Sequence, residues 1–232
     1  MKEFCPTFSF KQFAIDDRRC GMKVGTDGVL LGAWAGLDSE PSTILDVGAG
    51  SGLIALMLAQ RFAEAEISAV EIDAEAFADL SDNCEQSPWG SRISRYNCDF
   101  REIKGSYDLM VCNPPFFTNG DIAPEASRAL ARHSGQLSPT SFLRFCSTAL
   151  TDKGICALVA PIELSDEIEL EAALCRLYPR RKALVATSPR RGVTRGLWEF
   201  SHVRCPMEAE AEKIVVNSDE YAALTRDFYL HY

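Results

Sequence analysis

The chain has 232 residues, 47% hydrophobic and 25% charged, an ordinary globular composition with enough apolar mass for a sizeable core. The opening MKEFCPTFSFKQF lacks a basic start followed by an apolar run, and nowhere do 18 uncharged apolar residues stand together, so we expect no signal peptide, no membrane span and a soluble cytoplasmic protein. The net charge of −9 disfavours nucleic acid globally, yet Arg176 to Arg204 holds eight basic residues and one acidic, a +7 stretch on a remainder at −16 that reads as a footprint for a polyanion or as a solvated surface.

In chain order, residues 1–42 are expected as an N-terminal strand and a covering segment, with KVGTDG (23–28) readable as a plain turn on Gly25, Asp27 and Gly28. From residue 43 apolar runs alternate with amphipathic ones. TILDV (43–47) is a short buried strand, followed by a glycine-rich turn and the helical SGLIALMLAQRF. EISAVEID (66–73) is a strand, AEAFADLSDNCEQ a helix, RISRYNCD (92–99) a weaker strand and YDLMVC (107–112) a fourth. SPTSFLRFCSTAL (138–150) starts a helix at Ser138 and Pro139 and precedes the strand GICALVAP (154–161). The acidic helix ELSDEIELEAALCRLY (163–178) and the strands KALVATS (182–188) and LWEFSHVRC (197–205) complete the core, and 206–232 is expected to add a strand and a helix. The alternation predicts one α/β domain over 1–232, a doubly wound, mostly parallel, Rossmann-like sheet of seven strands with a short N-terminal extension and a small C-terminal addition.

Nine cysteines without a C-x-x-C pair, several inside runs such as LMVC and GICALVA, argue for reduced, buried thiols and against a disulfide framework or a zinc cluster. Three scattered histidines add to the expectation of no metal.

Ligands of such sheets gather at the carboxyl ends of the strands, so the exits carry the chemistry. The first is Asp46-Val47-Gly48-Ala49-Gly50-Ser51-Gly52. Its glycines permit a sharp turn and a close ligand approach, and a helix N-terminus with free N–H groups follows. A dinucleotide loop shares these glycines, but the spacing is G-x-G-x-G, Leu53 stands where a G-x-G-x-x-G pattern wants glycine, and the preceding carboxylate suits an ammonium better than a pyrophosphate. Glu71 lies 25 residues after Asp46, about where a ribose diol is held in doubly wound nucleotide folds, or it is an ordinary acid at a strand end. Asp99 and Phe100 are placed to accept from an adenine amino group and to pack on its ring. Three acids at three successive exits fit an adenosine with an amino-acid tail, S-adenosylmethionine.

The fourth exit is CNPPFF (112–117), whose two prolines donate no backbone hydrogen bond and stiffen the corner. The order D-x-G-x-G-x-G, E, D and N-P-P-F resembles the class I S-adenosylmethionine-dependent methyltransferases that act on planar amide or exocyclic amine nitrogens. The resemblance implies that Asn113 and the carbonyl of Pro114 accept from the target NH2 while Phe116 stacks on its plane. Over nearly the whole chain the sequence is similar to the tRNA1(Val) (adenine-37-N6)-methyltransferase family, through FSFKQFAIDDRRCGMKVGTDGVLLGAWA (8–35), ILDVGAGSGLIALMLAQR (44–61), QSPWGSRI (86–93), NPPF and YAALTRDFYL (221–230). That likeness implies N6 methylation of adenosine 37 in a tRNA, with Lys23, Thr26 and Asp27 in a loop over the methionine end of the cofactor, and we expect a monomer.

Arg128, Arg132 and His133, just after the catalytic corner, are candidates for tRNA phosphates or solvated helix charges, and Arg190, Arg191 and Arg195 are further candidates for the same role. Two features depart from the family: Phe116 stands where tyrosine is frequent, and SPRRGVTRGLWEF (188–200) is richer in arginine and lacks a histidine. The alternatives within the chemistry are a guanine-N2 rRNA methyltransferase, a DNA adenine methyltransferase and a release-factor glutamine methyltransferase. Outside it stands a catalytically inactive nucleotide- or RNA-binding module, disfavoured because Asn113 and all three acids are present.

Overall fold

Short runs of branched and small apolar residues make the centre of the molecule. The computed structural model describes residues 5–115, 137–204 and 211–230. A hairpin of two short strands, β1 (Phe8–Ser9) and β2 (Ala14–Ile15), leads into α1 (Thr26–Trp34). The main sheet then takes β3 (Thr43–Val47), β4 (Glu66–Val70), β5 (Ile93–Tyr96), β6 (Tyr107–Cys112), β7 (Leu150–Pro161), β8 (Tyr178–Ala186), β9 (Val193–Ser201) and β10 (Glu212–Val215). The helices between them are α2 (Leu53–Arg61), α3 (Ala74–Gln86), α4 (Pro139–Ala149) and α5 (Ser165–Leu174), and α6 (Asp219–Thr225) follows β10.

Across the sheet the order is β10-β8-β9-β7-β6-β3-β4-β5. Strands β5, β4, β3, β6 and β7 run parallel, and β9 lies antiparallel between β7 and β8. The seven expected strands are all present, and the C-terminal addition contributes an eighth. β10 pairs Glu212–Val215 with Ala183–Ala186 and buries Ile214, covering an edge of β8 that would otherwise expose unpaired backbone groups.

Side chains of successive strand residues point to opposite faces, and the chain uses both. Ile44, Leu109 and Val111 pack with α1, α2 and α3 residues such as Leu30, Met57 and Leu80. Leu45, Val47, Met110 and Cys112 pack with α4 and α5 residues such as Phe142, Leu143 and Ile168. Helices on both faces make the sheet doubly wound. α4 starts as its sequence implies, with Ser138 and Ser141 forming a reciprocal cap and Pro139 in the first turn.

Several boundaries differ from the sequence reading. α1 occupies much of what reads as a covering segment, and every residue from Gly28 to Trp34 is buried. A helix apolar on all sides has no amphipathic period to detect. It lies close on α2, since a Cβ on Gly32 would stand 2.7 Å from Met57 Sδ. α5 ends at Leu174 rather than 178, because Arg176 takes a left-handed backbone (φ 56°) and turns the chain into β8. β8 therefore begins at Tyr178, four residues early, and β7 and β9 likewise reach back, to Leu150 and Val193. Among the described residues no helix is long and apolar enough to cross a membrane, and the eight described cysteines are free thiols.

Candidate functional site

The register places four strand ends side by side: Cys112 pairs with Val47, Val47 with Val70, and Val70 with Tyr96. The residues that follow them, Asn113, Gly48, Glu71 and Asn97, therefore leave the sheet along one edge. Asn97 ties two of these exits together, its Nδ2 donating to the Glu71 carbonyl at 2.8 Å. The β8–β9 turn reaches this same edge, because Arg195 pairs with Pro161 at the carboxyl end of β7.

At the first exit Gly48, Gly50 and Gly52 all have left-handed backbones, at φ 70°, 55° and 85°. Any larger residue would be strained there. Space is also short: a Cβ on Gly48 would stand 2.4 Å from Leu137 Cδ2, and one on Gly50 3.3 Å from Cys20 Sγ. The Gly48 and Ala49 amides donate to the Val70 carbonyl, while the Gly50 amide donates to Glu71 Oε2 at 2.8 Å. Glu71 Oε1 accepts from Asp73 N, so this buried carboxylate holds the glycine loop and the next turn together. Burial raises its pKa and those two amides hold it back.

Asp46 lies behind the loop with no exposed surface. Its Oδ2 accepts from Ala55 N in α2 at 2.9 Å, and its Oδ1 has no hydrogen-bond partner among the described residues. Burial without a cation pushes its pKa up to about 7. A buried acceptor left unpaired is costly, and it marks a place that gains from a nearby positive group.

Asp99 caps the short helical turn Phe100–Glu102 and is gripped by Arg101 through the backbone amide and the guanidinium. The Arg101 guanidinium holds the carboxyl below its usual range. Phe100 is buried edge-on to Phe145, with centroids 5.3 Å apart.

The N-terminal segment is laid over the glycine loop by buried polar side chains of α3. Asn83 accepts from Asp16 N and donates to the carbonyls of Asp16 and Ser51. Asp79, fully buried, accepts from the amides of Arg19 and Cys20 and pairs with the Arg19 guanidinium at 2.5 Å. Lys23 Nζ donates to the Asp17 carbonyl at 2.5 Å, while Thr26 and Asp27 open α1. Asn113 Nδ2 meets Met22 Sδ at 3.4 Å and would lie 3.8 Å from a Cβ on Gly28. The structure thus adds Cys20, Met22, Asp79 and Asn83 to the site's surroundings. None carries a local sequence signal, because each acts across a gap of tens of residues.

Pro114 follows Asn113 at the corner, whereas Phe116, Arg128, Arg132 and His133 lie outside the described residues. The basic stretch is largely engaged. Arg181 pairs with Glu212 at 2.8 Å, Lys182 with Glu169 at 2.7 Å, and Arg180 lies 3.9 Å from Glu199. Arg204 packs over Tyr178, and Arg195 pairs with Asp27 at 2.8 Å. Arg190 and Arg191 stand exposed on the β8–β9 turn with no ion pair among the described residues. Three of its eight bases are thus paired with acids outside the stretch, Glu212, Glu169 and Asp27, and Arg180 lies near the stretch's own Glu199.

Residues 30–173 match the family described as "Methyltransferase small domain". Curated relatives named "tRNA1(Val) (adenine(37)-N6)-methyltransferase" include one from Bacteroides fragilis strain YCH46, 42% identical over 97% of this chain and 98% of its own length. Another, from Tolumonas auensis, is 40% identical with 97% of each chain covered. Among solved structures, a predicted O-methyltransferase from Agrobacterium tumefaciens superposes with a TM-score of 0.62 at 19% identity, covering 87% of this chain and 96% of its own. P. horikoshii TYW2 in complex with MeSAdo superposes with a TM-score of 0.54 at 16% identity, covering 79% and 66%. At these identities the two structures speak for the fold.

Proposed function

We propose a division of labour among named residues from one premise: the chain belongs to the family of tRNA1(Val) (adenine(37)-N6)-methyltransferases. On this reading it methylates the N6 amine of adenosine 37 in a tRNA, using S-adenosylmethionine. When bound, that cofactor supplies a methyl group on a sulfonium sulfur, an electrophile with its leaving group built in. The observation that carries the reading is the row of exits, in which the loop of Gly48, Gly50 and Gly52 stands between Asn113 on one side and Glu71 with Asn97 on the other.

The residues fit the group. Three left-handed glycines would bring backbone close to a ligand, and Asp46 Oδ1 is a buried acceptor with no partner among the described residues. The loop and Glu71 would hold the adenosine and its ribose, with Asp99 and Phe100 at the adenine. Lys23, Thr26 and Asp27 would close over the amino-acid end. Asp46 acts from behind the loop, where its negative charge favours a cation in front.

An exocyclic amine of adenine is a poor nucleophile because its lone pair is delocalised into the ring. Asn113 Oδ1 and the Pro114 carbonyl would accept its two N–H groups, favouring a pyramidal nitrogen and stabilising the positive charge that develops on it. Pro114 and Pro115 keep those acceptors aimed without reorganisation, and Phe116 would stack on the base, worth about 1–3 kcal/mol. Arg190 and Arg191 would meet phosphates on the same edge, and Arg128, Arg132 and His133 would extend that contact. The test is incubation with labelled S-adenosylmethionine and unmodified total tRNA, followed by nucleoside analysis. N6-methyladenosine is expected, and N2-methylguanosine in its place would overturn the reading.

A further inference from the structure

We infer that Arg195 is a positioning residue for Asn113, acting through Asp27 and the segment 22–28. Arg195 lies near the start of β9, where its Nε donates to Asp27 Oδ2 at 2.8 Å and its Nη1 to the Thr194 carbonyl at 3.0 Å. Both partners are held: the arginine by strand pairing with Pro161 and Val185, the aspartate by the first turn of α1. The next residue, Gly28, is packed so closely that a Cβ there would stand 3.1 Å from Leu53 Cδ2 and 3.8 Å from Asn113 Nδ2. Five residues before the aspartate, Met22 Sδ lies 3.4 Å from the same Asn113 nitrogen.

One short segment therefore reaches the Asn113 amide through Met22 and leaves no spare room beside it at Gly28, and Arg195 anchors that segment to the sheet. A thioether sulfur accepts and cannot donate, so it favours the orientation with Nδ2 toward Met22 and Oδ1 turned away from it. An oxygen so turned is free to accept from a substrate amine. The inference rests on the proposed methylation only for what Oδ1 accepts.

Arg195 is therefore not the free phosphate contact that the basic stretch suggests. Its side chain is 34% exposed and that of Asp27 30%, so solvent screens the pair and its contribution to stability is small. What the pair supplies is placement. It also joins the turn carrying Arg190 and Arg191 to the amide, so that both lie on one supported body.

The experiment uses the full chain labelled with 15N. The Asn113 side-chain NH2 pair is identified by its disappearance in Asn113→Ala, and it is then followed in Arg195→Gln, Arg195→Lys and Asp27→Asn without RNA. The pair should move in Arg195→Gln and Asp27→Asn and return toward the wild-type position in Arg195→Lys, which keeps the charge opposite Asp27. In single turnovers at saturating cofactor and tRNA, Arg195→Gln should lower the rate about tenfold, as a small misplacement of a reacting group does, while tRNA affinity and its salt slope stay unchanged. If Arg195→Gln does not fold, Asp27→Asn breaks the same bridge from the other side and carries the test. An unmoved Asn113 pair in the folded variants overturns the inference. So does an intact saturated rate with weaker tRNA binding and a shallower salt slope, which would make Arg195 a phosphate contact. A wild-type protein that leaves tRNA unmethylated would sink the proposed function, and the position of the Asn113 resonance would still decide the positioning.

Discussion

Asp46 and Glu199 are both buried carboxylates on strands of the same sheet, 0% and 1% exposed, yet the chain treats them oppositely. Glu199 accepts from Gly36 N at 2.7 Å and has Arg181 at 3.5 Å and Arg180 at 3.9 Å. Arg181 is itself fixed, stacked over Trp34 at 4.3 Å and paired with Glu212, which also accepts from Trp34 Nε1. Asp46 has one amide and an unpaired oxygen, and no arginine or lysine is bonded to it among the described residues. Burial raises both pKa values, but Arg181 opposes the rise at Glu199, and no cation does so at Asp46. Where the protein supplies the counter-charge, a buried acid fastens elements together. Where it withholds one, the acid keeps an unpaired oxygen behind the glycine loop, which on the proposed reading a bound cation would answer.

The largest expected effect lies on the incomplete side. On the proposed mechanism Asn113→Ala removes an acceptor for developing charge, so kcat should fall about 10²–10³-fold with the cofactor dissociation constant nearly unchanged. Near-normal turnover would take Asn113 out of the mechanism. On the completed side, Arg181→Ala strands Glu199 and removes the contact with Trp34, which should cost about 3 kcal/mol of unfolding free energy in urea titrations. A cost within about 0.5 kcal/mol would show that Arg180 alone suffices for Glu199.

Asp46 yields a pH test with a definite sign. Its folded pKa, about 7, lies above its ordinary value of 3.8, so between those values the folded state holds a proton that the unfolded state has lost. The ligand-free protein should therefore lose stability as pH rises from about 4 to about 7, by an amount on the order of a few kcal/mol from this group. Asp46→Asn should flatten that part of the profile, whereas Glu71→Gln should leave Asp46's share in place. An unchanged slope in Asp46→Asn would mean that Asp46 has found a partner in solution. The smallest effect is at the turn: Arg190→Ala with Arg191→Ala should weaken tRNA binding about uniformly across tRNA species and lower the salt slope by about 1–2. An unaltered slope would make the turn ordinary surface.

The core of the fold was legible because local periodicity carries it. TILDV, EISAV, YDLMVC and ICALVAP are short apolar runs that only a buried strand accommodates, and each lies within a strand of the sheet. α1 was not legible, since a helix buried all round has no polar face to set its period. The end of α5 and the start of β8 differ from the sequence reading because a single left-handed residue, Arg176, ends the helix where the composition still favours it. At the site, the glycine loop and the acids could be found from their spacing. The grip of Arg101 on Asp99 could have been suspected from their separation of two residues, but the hold of Asn83 and Asp79 on residues 16–20 could not.

By itself, the sequence determined which chemistry the strand ends can carry: a glycine turn, three acids and an amide on a proline corner, in that order. These depend on residue type and short spacing, which local sterics and side-chain chemistry settle. Only the tertiary structure decided which charges remain free to act. Arg195 and Asp27 are 168 residues apart, and Arg61, Arg92 and Arg181 reach backbone carbonyls or acids on other elements. Such pairings arise when packed helices and a closed register bring distant groups within hydrogen-bond reach, and no local period in the chain records them.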